Sequence, residues 1–405
     1  MLFENLKLSL KSLWAHKMRS FLTVLSITIG VAAIVAMTSL AKSGLATLTR
    51  GIEEIGGTRF IWIVPDEPQV AAEKRGSYVG RMTWGDRDAI AGAVGSLESI
   101  VASKRFYHVT VSAGGAPPVR TTVLATEPSY FQAYKMRLAA GRALNEADMQ
   151  SRRKAMVIGA TLATKLFGTP EAVGRELRFN GDRFEVVGVL KANQKSGVRL
   201  GYEWDELAIL PFTAPGVGHD VEEISMTVRR TEDGEQAIKI ANSVLLHRHH
   251  GVDNFQFLDF GGLLKNFYLA FAAMRVVVGL IAGVALLIGG VGVMNIMLVA
   301  VNERMREIGL RKALGATKAV IRGQFLTEAI VLTLFGALVG VVLGIGLVEG
   351  ATVVITMLNP AWVASFSYEA VAIAVAASGA IGLFFGWYPA RQAAELEPIQ
   401  ALRHE

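Results

Sequence analysis

The segment Asn302–Ala316, NERMREIGLRKALGA, lies between two long apolar runs and decides how the chain is arranged. Four of its residues are Arg or Lys, interleaved with two Glu and with apolar Met, Ile and Leu. A segment of this charge density is not stable in the hydrocarbon of a bilayer. Its excess of Lys and Arg is typical of the cytoplasmic side. We therefore predict a short helix on the inner surface of a membrane, on which a cytoplasmic partner acts.

Four runs without a charged residue are long enough to cross a bilayer as helices. A buried helix of a soluble protein explains any one such run, but four in one chain favour a membrane protein. The first run is too long for a signal peptide and lacks an A-x-A-like cleavage site, so we expect it to be retained. The predicted spans are Ser20–Ala41, Val276–Val301, Ile330–Val348 and Ala370–Tyr388.

The distribution of positive charge predicts the orientation of these spans. Residues 1–19, 302–329 and 389–405 carry 4, 6 and 2 Lys or Arg, whereas 349–369 carry none. Both termini and the loop 302–329 are therefore predicted to be cytoplasmic, and residues 42–275 and 349–369 to lie outside. The net charge of +6 then reflects topology, and binding to nucleic acid is not needed to explain it. The chain has no Cys, which excludes disulfides.

Residues 42–275 show a mixed pattern of short helices and strands. The first span is expected to continue as a stalk to about Ile55, and Asn180–Gly181 predicts a tight hairpin within Glu176–Val189. We expect a membrane-proximal part (42–100 and 213–270) and an inserted part (101–212). The fold class is thus an α-helical membrane protein with four transmembrane helices and a large α+β periplasmic domain between helices 1 and 2.

Two further segments of the chain have predicted surface positions. Residues 2–19 have an apolar stripe and a basic face, which is typical of a helix lying on the cytoplasmic leaflet in contact with lipid. His247, His249 and His250 cannot present three metal ligands from one helix face, so we interpret them as a solvated helix end.

The last three spans are rich in glycine, which lets helices approach closely in lipid. This spacing fits either an interface that slides or pivots, or static packing. The residues predicted to mediate helix packing are Gly283, Gly290, Gly336, Gly340 and Gly344.

The sequence lacks the common catalytic motifs. It has no phosphate-binding loop of the form G-x-x-x-x-G-K-[ST], no H-E-x-x-H and no G-x-S-x-G. No charged residue lies inside a predicted span, so an ion relay is unsupported. We therefore expect a chain without catalytic, cofactor-binding or metal-binding residues that draws its energy from a partner.

Three segments resemble the permease family of MacB and FtsX: ERMREIGLRKALGAT, FLTEAIVLTLFGALVGVVLGIG and the terminal PARQAAELEPIQALR. The resemblance implies that two copies of the chain pair with two ATP-binding subunits, which hold ATP and Mg. Because the chain starts almost directly at the surface helix, we expect the ATPase on a separate polypeptide. The resemblance makes 302–316 the helix that couples to the ATPase. The residues expected to contact it are Glu303, Arg304, Arg306, Glu307, Ile308, Arg311 and Lys312.

The same resemblance leaves three functions open, all in the bacterial inner membrane. The leading hypothesis is a permease that drives efflux or export of a periplasmic substrate by mechanotransmission, with a periplasmic adaptor and an outer-membrane channel. The second is release of lipoproteins to a carrier. The third is regulation of cell-wall hydrolases without transport. The size of the outer domain favours the first two.

Overall fold

The computed structural model describes residues 17–65, 81–192, 203–253 and 255–398, and the chain divides into two units. Met1–Ala46 and Leu269–Glu405 form the helical unit, and Thr47–Tyr268 form what we call the outer domain. In chain order the helices are α1 (Lys17–Ile55), α2 (Trp84–Ala93), α3 (Ser129–Ala133), α4 (Glu146–Gln150), α5 (Ala160–Phe167), α6 (Gly234–Arg248), α7 (Phe260–Glu303), α8 (Met305–Ala313), α9 (Lys318–Leu358) and α10 (Tyr368–Glu395). The strands are β1 (Phe60–Pro65), β2 (Met82–Thr83), β3 (Leu97–Ala113), β4 (Val119–Thr126), β5 (Leu138–Gly141), β6 (Ala155–Ile158), β7 (Glu176–Phe179), β8 (Asp182–Leu190), β9 (Ala208–Pro211), β10 (Asp220–Val221), β11 (Glu223–Val228) and β12 (Phe255–Asp259).

Four helices are long and apolar enough to cross a membrane; three contain a predicted span whole, and the candidate span in the first begins one residue after the predicted start at Ser20. They are Phe21–Ile55, Phe260–Glu303, Lys318–Leu358 and Tyr368–Glu395. The four predicted membrane helices are thereby confirmed. With 39 residues, α1 is about 58 Å long, well beyond the roughly 30 Å of a hydrocarbon core.

Polar side chains mark where the last two membrane helices begin. The Thr317 hydroxyl accepts a hydrogen bond from Val320 N at the start of α9, and Ser367 accepts from Ala370 N at the start of α10. Arg304, with φ −105° and ψ 15°, separates α7 from α8. The charged segment is therefore a helix of its own, joined to a membrane helix by a single non-helical residue.

The outer domain is built on one ten-stranded mixed sheet. The strand order is β12-β1-β11-β3-β4-β9-β6-β8-β5, with β7 pairing β3 and β8. Only the pairs β4–β9 and β6–β8 are parallel among these strands. The long strand β3 crosses residue 100, where the sequence predicted a boundary between two parts. The structure therefore shows one sheet through both predicted parts, because β3 pairs with strands from each of them.

Both faces of this sheet are buried, as alternation along β1 shows. Ile61 and Ile63 face a core shared with Ile90 of α2 and Leu245 of α6. Phe60, with the neighbouring Trp62, faces a second core that contains Tyr130, Tyr134 and Trp204. Each fully buried side chain of this size stabilises the fold by about 1.5–3 kcal/mol relative to exposure.

Several local predictions in the outer domain are confirmed. Helix α1 ends at Ile55, and Gly57 follows with φ +99° and donates from its N to Ile52 O. The predicted hairpin forms between β7 and β8, with Asn180 and Gly181 both at positive φ. Two predicted strands, 100–103 and 107–112, instead belong to β3, whose pairing with β4 shifts between Phe106 and Val109. The predicted surface helix at 2–19 lies largely outside the described residues.

The interpretation of the histidine cluster as solvated is wrong for His249. This side chain is 6% exposed, and its Nε2 lies 3.2 Å from Asp86 Oδ2. The Arg248 Nε donates to Asp86 Oδ1 at 2.6 Å, so the end of α6 is held to the start of α2. The sequence pattern predicts the end of α6 but not the contact of that end with the Asp86 carboxylate.

Candidate coupling segment and its contacts with the membrane helices

One face of α8 packs against the membrane helices. The Ile308 side chain is 2% exposed and belongs to the apolar core of the helical unit, together with Val301, Phe325 and Ala393. The adjacent Gly309 is also buried. Ile308 and Gly309 therefore mark the side of α8 that faces the membrane helices.

A buried ion pair joins the junction of α7 and α8 to α9. The Arg304 Nη1 donates to Glu328 Oε1 at 3.3 Å and approaches Oε2 at 3.5 Å. The Glu328 side chain is 4% exposed and that of Arg304 is 21% exposed. A carboxylate buried to this extent is costly unless it is paired, so the partner at Arg304 is required for its charge to be tolerated.

Two more basic residues of α8 bind groups of the helical unit. The Arg311 Nη1 donates to Gln324 Oε1 at 2.7 Å, and its Nη2 donates to Glu307 Oε1 at 2.5 Å. The Lys312 Nζ donates to Ala394 O at 2.9 Å and also to Leu396 O. These carbonyls lie at the end of α10, where backbone acceptors lack helical partners. Lys312 therefore ties α8 to the last span.

The opposite face of α8 is exposed and mixed in character. It carries Arg306, Glu307 and Leu310, which is 54% exposed. Two flanking residues are exposed as well: Glu303, the last residue of α7, and Leu314, which follows α8 and is 82% exposed. Neither leucine is among the residues predicted from the sequence to contact the ATPase. Their spacing of four residues, offset from Ile308, is the signal that could have identified them.

The predicted packing glycines of α9 lie against α1 in a regular ladder. A Cβ added at Gly336, Gly340 or Gly344 would lie 3.1, 2.7 or 3.0 Å from Ile27, Val31 or Val35 side-chain atoms, respectively. Both sets repeat every four residues, so successive turns of the two helices meet. At Gly290 an added Cβ would lie 2.3 Å from Phe385 of α10. At Gly283 it would meet nothing within 4 Å among the described residues, so the predicted packing role there remains a prediction.

A metal centre does not appear in the part of the chain that the structure describes. No group of three or more His, Cys, Asp or Glu is placed there to hold a metal ion. One face of α8 is held on three membrane helices, and the other is exposed with charged and apolar side chains.

This arrangement, a charged helix between two membrane helices and a large domain after the first span, defines a class of permease. Residues 20–244 match the family model for the MacB-like periplasmic core domain, and residues 279–398 match the model for the FtsX-like permease C-terminal. The chain belongs to the MacB/FtsX-type ABC transporter permeases.

Relatives along the whole chain agree with this assignment. The chain is 33% identical over 412 residues to "Uncharacterized ABC transporter permease YknZ" of Bacillus subtilis, covering 100% of both chains. It is 32% identical over 415 residues to "Macrolide export ATP-binding/permease protein MacB" of Chromobacterium violaceum, covering 100% of this chain and 61% of that protein. The chain thus spans about three fifths of the MacB relative.

Two solved structures are similar to about half of this chain. The periplasmic region of MacB from Actinobacillus actinomycetemcomitans has a TM-score of 0.44 at 15% identity, covering 55% of this chain and 97% of that one. The extracellular domain of the transporter YknZ from Gram-positive bacteria has a TM-score of 0.41 at 20% identity, covering 49% and 99%.

Proposed function

We propose that this permease converts ATP hydrolysis by a separate dimer of ATP-binding cassette subunits into movement of its outer domain. Two copies of the chain act together, with both termini and α8 in the cytoplasm and the outer domain on the far side of the inner membrane. The observation that supports this proposal is the two-sided character of α8. One face is fixed to the membrane helices, and the other presents charged and apolar groups to a partner.

The seven residues predicted to contact the ATPase divide between these two faces. Glu303, Arg306 and Glu307 are exposed, and we propose that they dock on the ATPase together with Leu310 and Leu314. The other four hold α8 on the spans, where a movement of α8 would be passed to α9 and α10. These four are Arg304, Ile308, Arg311 and Lys312.

Charge reversal at Glu307 tests the docking role. Hydrogen bonds to a charged group each contribute about 1.5–3 kcal/mol, so one lost contact weakens docking markedly. The permease is reconstituted with its ATPase in lipid nanodiscs, and its stimulation of ATP turnover is measured. Glu307→Lys is expected to abolish stimulation while membrane insertion is retained. Glu349→Lys, at an exposed position near the other end of α9, is the matched control. Unchanged stimulation by Glu307→Lys would contradict the docking role.

We further propose that the driven movement exports a substrate taken up outside the inner membrane, through an adaptor and an outer-membrane channel. MacB relatives are named macrolide export proteins, which supports an export function. The YknZ relative comes from Bacillus subtilis. We propose the outer-membrane channel for a host whose envelope has an outer membrane.

Copurification from native membranes tests the export function. We expect an adaptor protein to be recovered with the permease and the ATPase. Recovery of a lipoprotein carrier without an adaptor would overturn the export function and favour lipoprotein release.

A further inference from the structure

Two serines of α1 hold the non-helical segment that precedes α10. The Ser43 hydroxyl accepts a hydrogen bond from Ser365 N at 2.9 Å and can donate to Ser365 O or Ser39 O, each at 3.0 Å. The Ser39 hydroxyl accepts from Ser367 N at 3.2 Å. One turn of α1 therefore binds alternate residues of the segment, as a neighbouring strand would.

This contact is buried and continues into the start of α10. Ser39 and Ser43 are both 0% exposed, and Ser367 is 3% exposed. The Ser367 hydroxyl also accepts from Ala370 N, so the residue that caps α10 is the one bonded to Ser39. Backbone groups outside a helix need partners when they are buried, and in this segment α1 supplies them.

Neighbouring contacts fix the segment to the same part of α1. The Lys42 Nζ donates to Phe366 O at 3.3 Å. At Gly44 an added Cβ would lie 3.5 Å from the Phe271 ring of α7 and 3.9 Å from the Trp362 ring. Helix α1 therefore lies close to both aromatic rings at Gly44, with room for ordinary van der Waals contact. The segment follows one side of α1 from Trp362 to Ser367.

A second set of contacts holds the opposite end of α10. There the Lys312 Nζ of α8 donates to Ala394 O and Leu396 O, close to the last residue of the helix. Helix α10 is therefore bonded to the coupling segment at one end and to α1 at the other. Helix α1 continues from this contact to Ile55, within the outer domain.

We propose that Ser39 and Ser43 act as a clamp that makes α1 move with the start of α10 when the transporter turns over ATP. This inference rests on the proposed function, because it supplies the path by which a push on α8 reaches the outer domain. The two serines are positioning residues that take no part in ATP hydrolysis. Their loss should therefore separate hydrolysis from movement of the outer domain.

The test measures both quantities on one reconstituted complex of permease and ATPase in nanodiscs. Because the chain contains no Cys, Glu171→Cys on the exposed outer domain carries a single spin label per copy, attached before the ATPase is added. The distance between labels of two copies is measured with and without ATP. Ser39→Ala with Ser43→Ala is compared with Ser26→Ala, a serine of the same helix that bonds only its own helix at Leu22 O.

The clamp predicts that the double variant keeps ATP turnover but loses most of the ATP-dependent change in distance, whereas Ser26→Ala keeps both. A full change in the double variant would overturn the clamp. Loss of turnover as well, in an assembled complex, would place the serines upstream of hydrolysis and also overturn it. If the labelled complex with both serines intact shows no ATP-dependent change in distance, that result counts against the proposed function instead.

A cross-linked variant tests the clamp by replacing the hydrogen bonds of Ser43 with a covalent link. In Ser43→Cys with Ser365→Cys, a short bifunctional thiol reagent joins α1 to the segment. If the two elements move as one, ATP turnover of the cross-linked complex should equal that of the same variant before cross-linking. An arrest of turnover on cross-linking would show that they must separate, and would contradict the proposal.

Discussion

The Arg304 Nη1 lies 3.3 Å from Glu328 Oε1, which joins the residue between α7 and α8 to a buried carboxylate of α9. Arg304 is the one residue between α7 and α8, so the pair fixes the junction of these two helices to α9. Removal of either partner leaves the other poorly solvated.

A double-mutant cycle measures the strength of the pair. Glu328→Gln and Arg304→Gln should each lower the free energy of unfolding by about 1–3 kcal/mol, and the double variant should lose less than their sum. The measurement is unfolding of the permease by SDS titration from mixed micelles. Glu349→Gln on the same helix is the control and should have little effect. A coupling energy of zero would mean that the contact contributes nothing to stability.

The glycine ladder between α9 and α1 gives a sharper test, because a matched position lies on the same helix. A methyl group at Gly340 would lie 2.7 Å from both Thr28 O and Val31 Cβ, whereas at Gly346 it would meet none of the described residues within 4 Å. Gly340→Ala should therefore force the helices apart and cost about 1–3 kcal/mol. Gly346→Ala should be neutral or slightly stabilising. Equal melting temperatures for the two variants in detergent would contradict close packing at Gly340.

The membrane helices and the charged segment could be predicted because each depends on composition over a long run. The division of α8 into two faces could not, since it depends on which membrane helices lie beneath it. Arg304 and Arg306 look equivalent in sequence, yet one reaches a buried Glu328 and the other is exposed. Glu328 lies two residues before the predicted third span, and only its pairing shows why a carboxylate is tolerated there.

The two faces of α8 should respond differently to substitution. Leu314→Asp removes an apolar group that is 82% exposed, so it should weaken binding of the ATPase without destabilising the permease. Ile308→Asp places a charge in the apolar core and should lower the free energy of unfolding by about 3–5 kcal/mol. Binding is measured by copurification with the ATPase, and stability by the melting temperature. Equal loss of stability in both variants would contradict the assignment of faces.

The carboxylate of Asp86 makes the outer domain sensitive to acid. Burial opposes its ionisation, but hydrogen bonds from Arg248 and Thr83 and the charge of His249 outweigh burial and lower the pKa of Asp86 below its usual 3.8. A lowered pKa in the folded state means that the ionised carboxylate contributes stability above pH 3.8. This contribution is lost as the pH falls through the folded-state pKa.

Asp86→Asn should therefore lower the melting temperature most at neutral pH. The difference from wild type should shrink as the pH is taken below 3.8. Glu171→Gln, at an exposed position, is the control and should track wild type throughout. A difference between wild type and Asp86→Asn that grows at low pH would contradict the assigned role of the carboxylate.

The contact between Asp86 and His249 also shows where sequence patterns end in the outer domain. Helix α2 begins after its N-cap Thr83, whose backbone N donates to Asp86 Oδ2 at 2.7 Å. Nothing in the sequence links that start to His249, which lies more than 160 residues away, because the sheet topology brings them together. The pairing order of the ten strands could likewise not be predicted from the sequence, because it depends on contacts between residues far apart in the chain.

We propose that the coupling segment, residues 302–316, lies in the cytoplasm and the outer domain on the far side of the same membrane, so that force must cross the membrane. The chain has no Cys, so single substitutions at Leu314 and Glu171 can report their compartment by reaction with a membrane-impermeant maleimide. We predict that Glu171→Cys is labelled in intact spheroplasts and that Leu314→Cys is labelled only after the membrane is opened. Labelling of both positions from the same side would contradict the account.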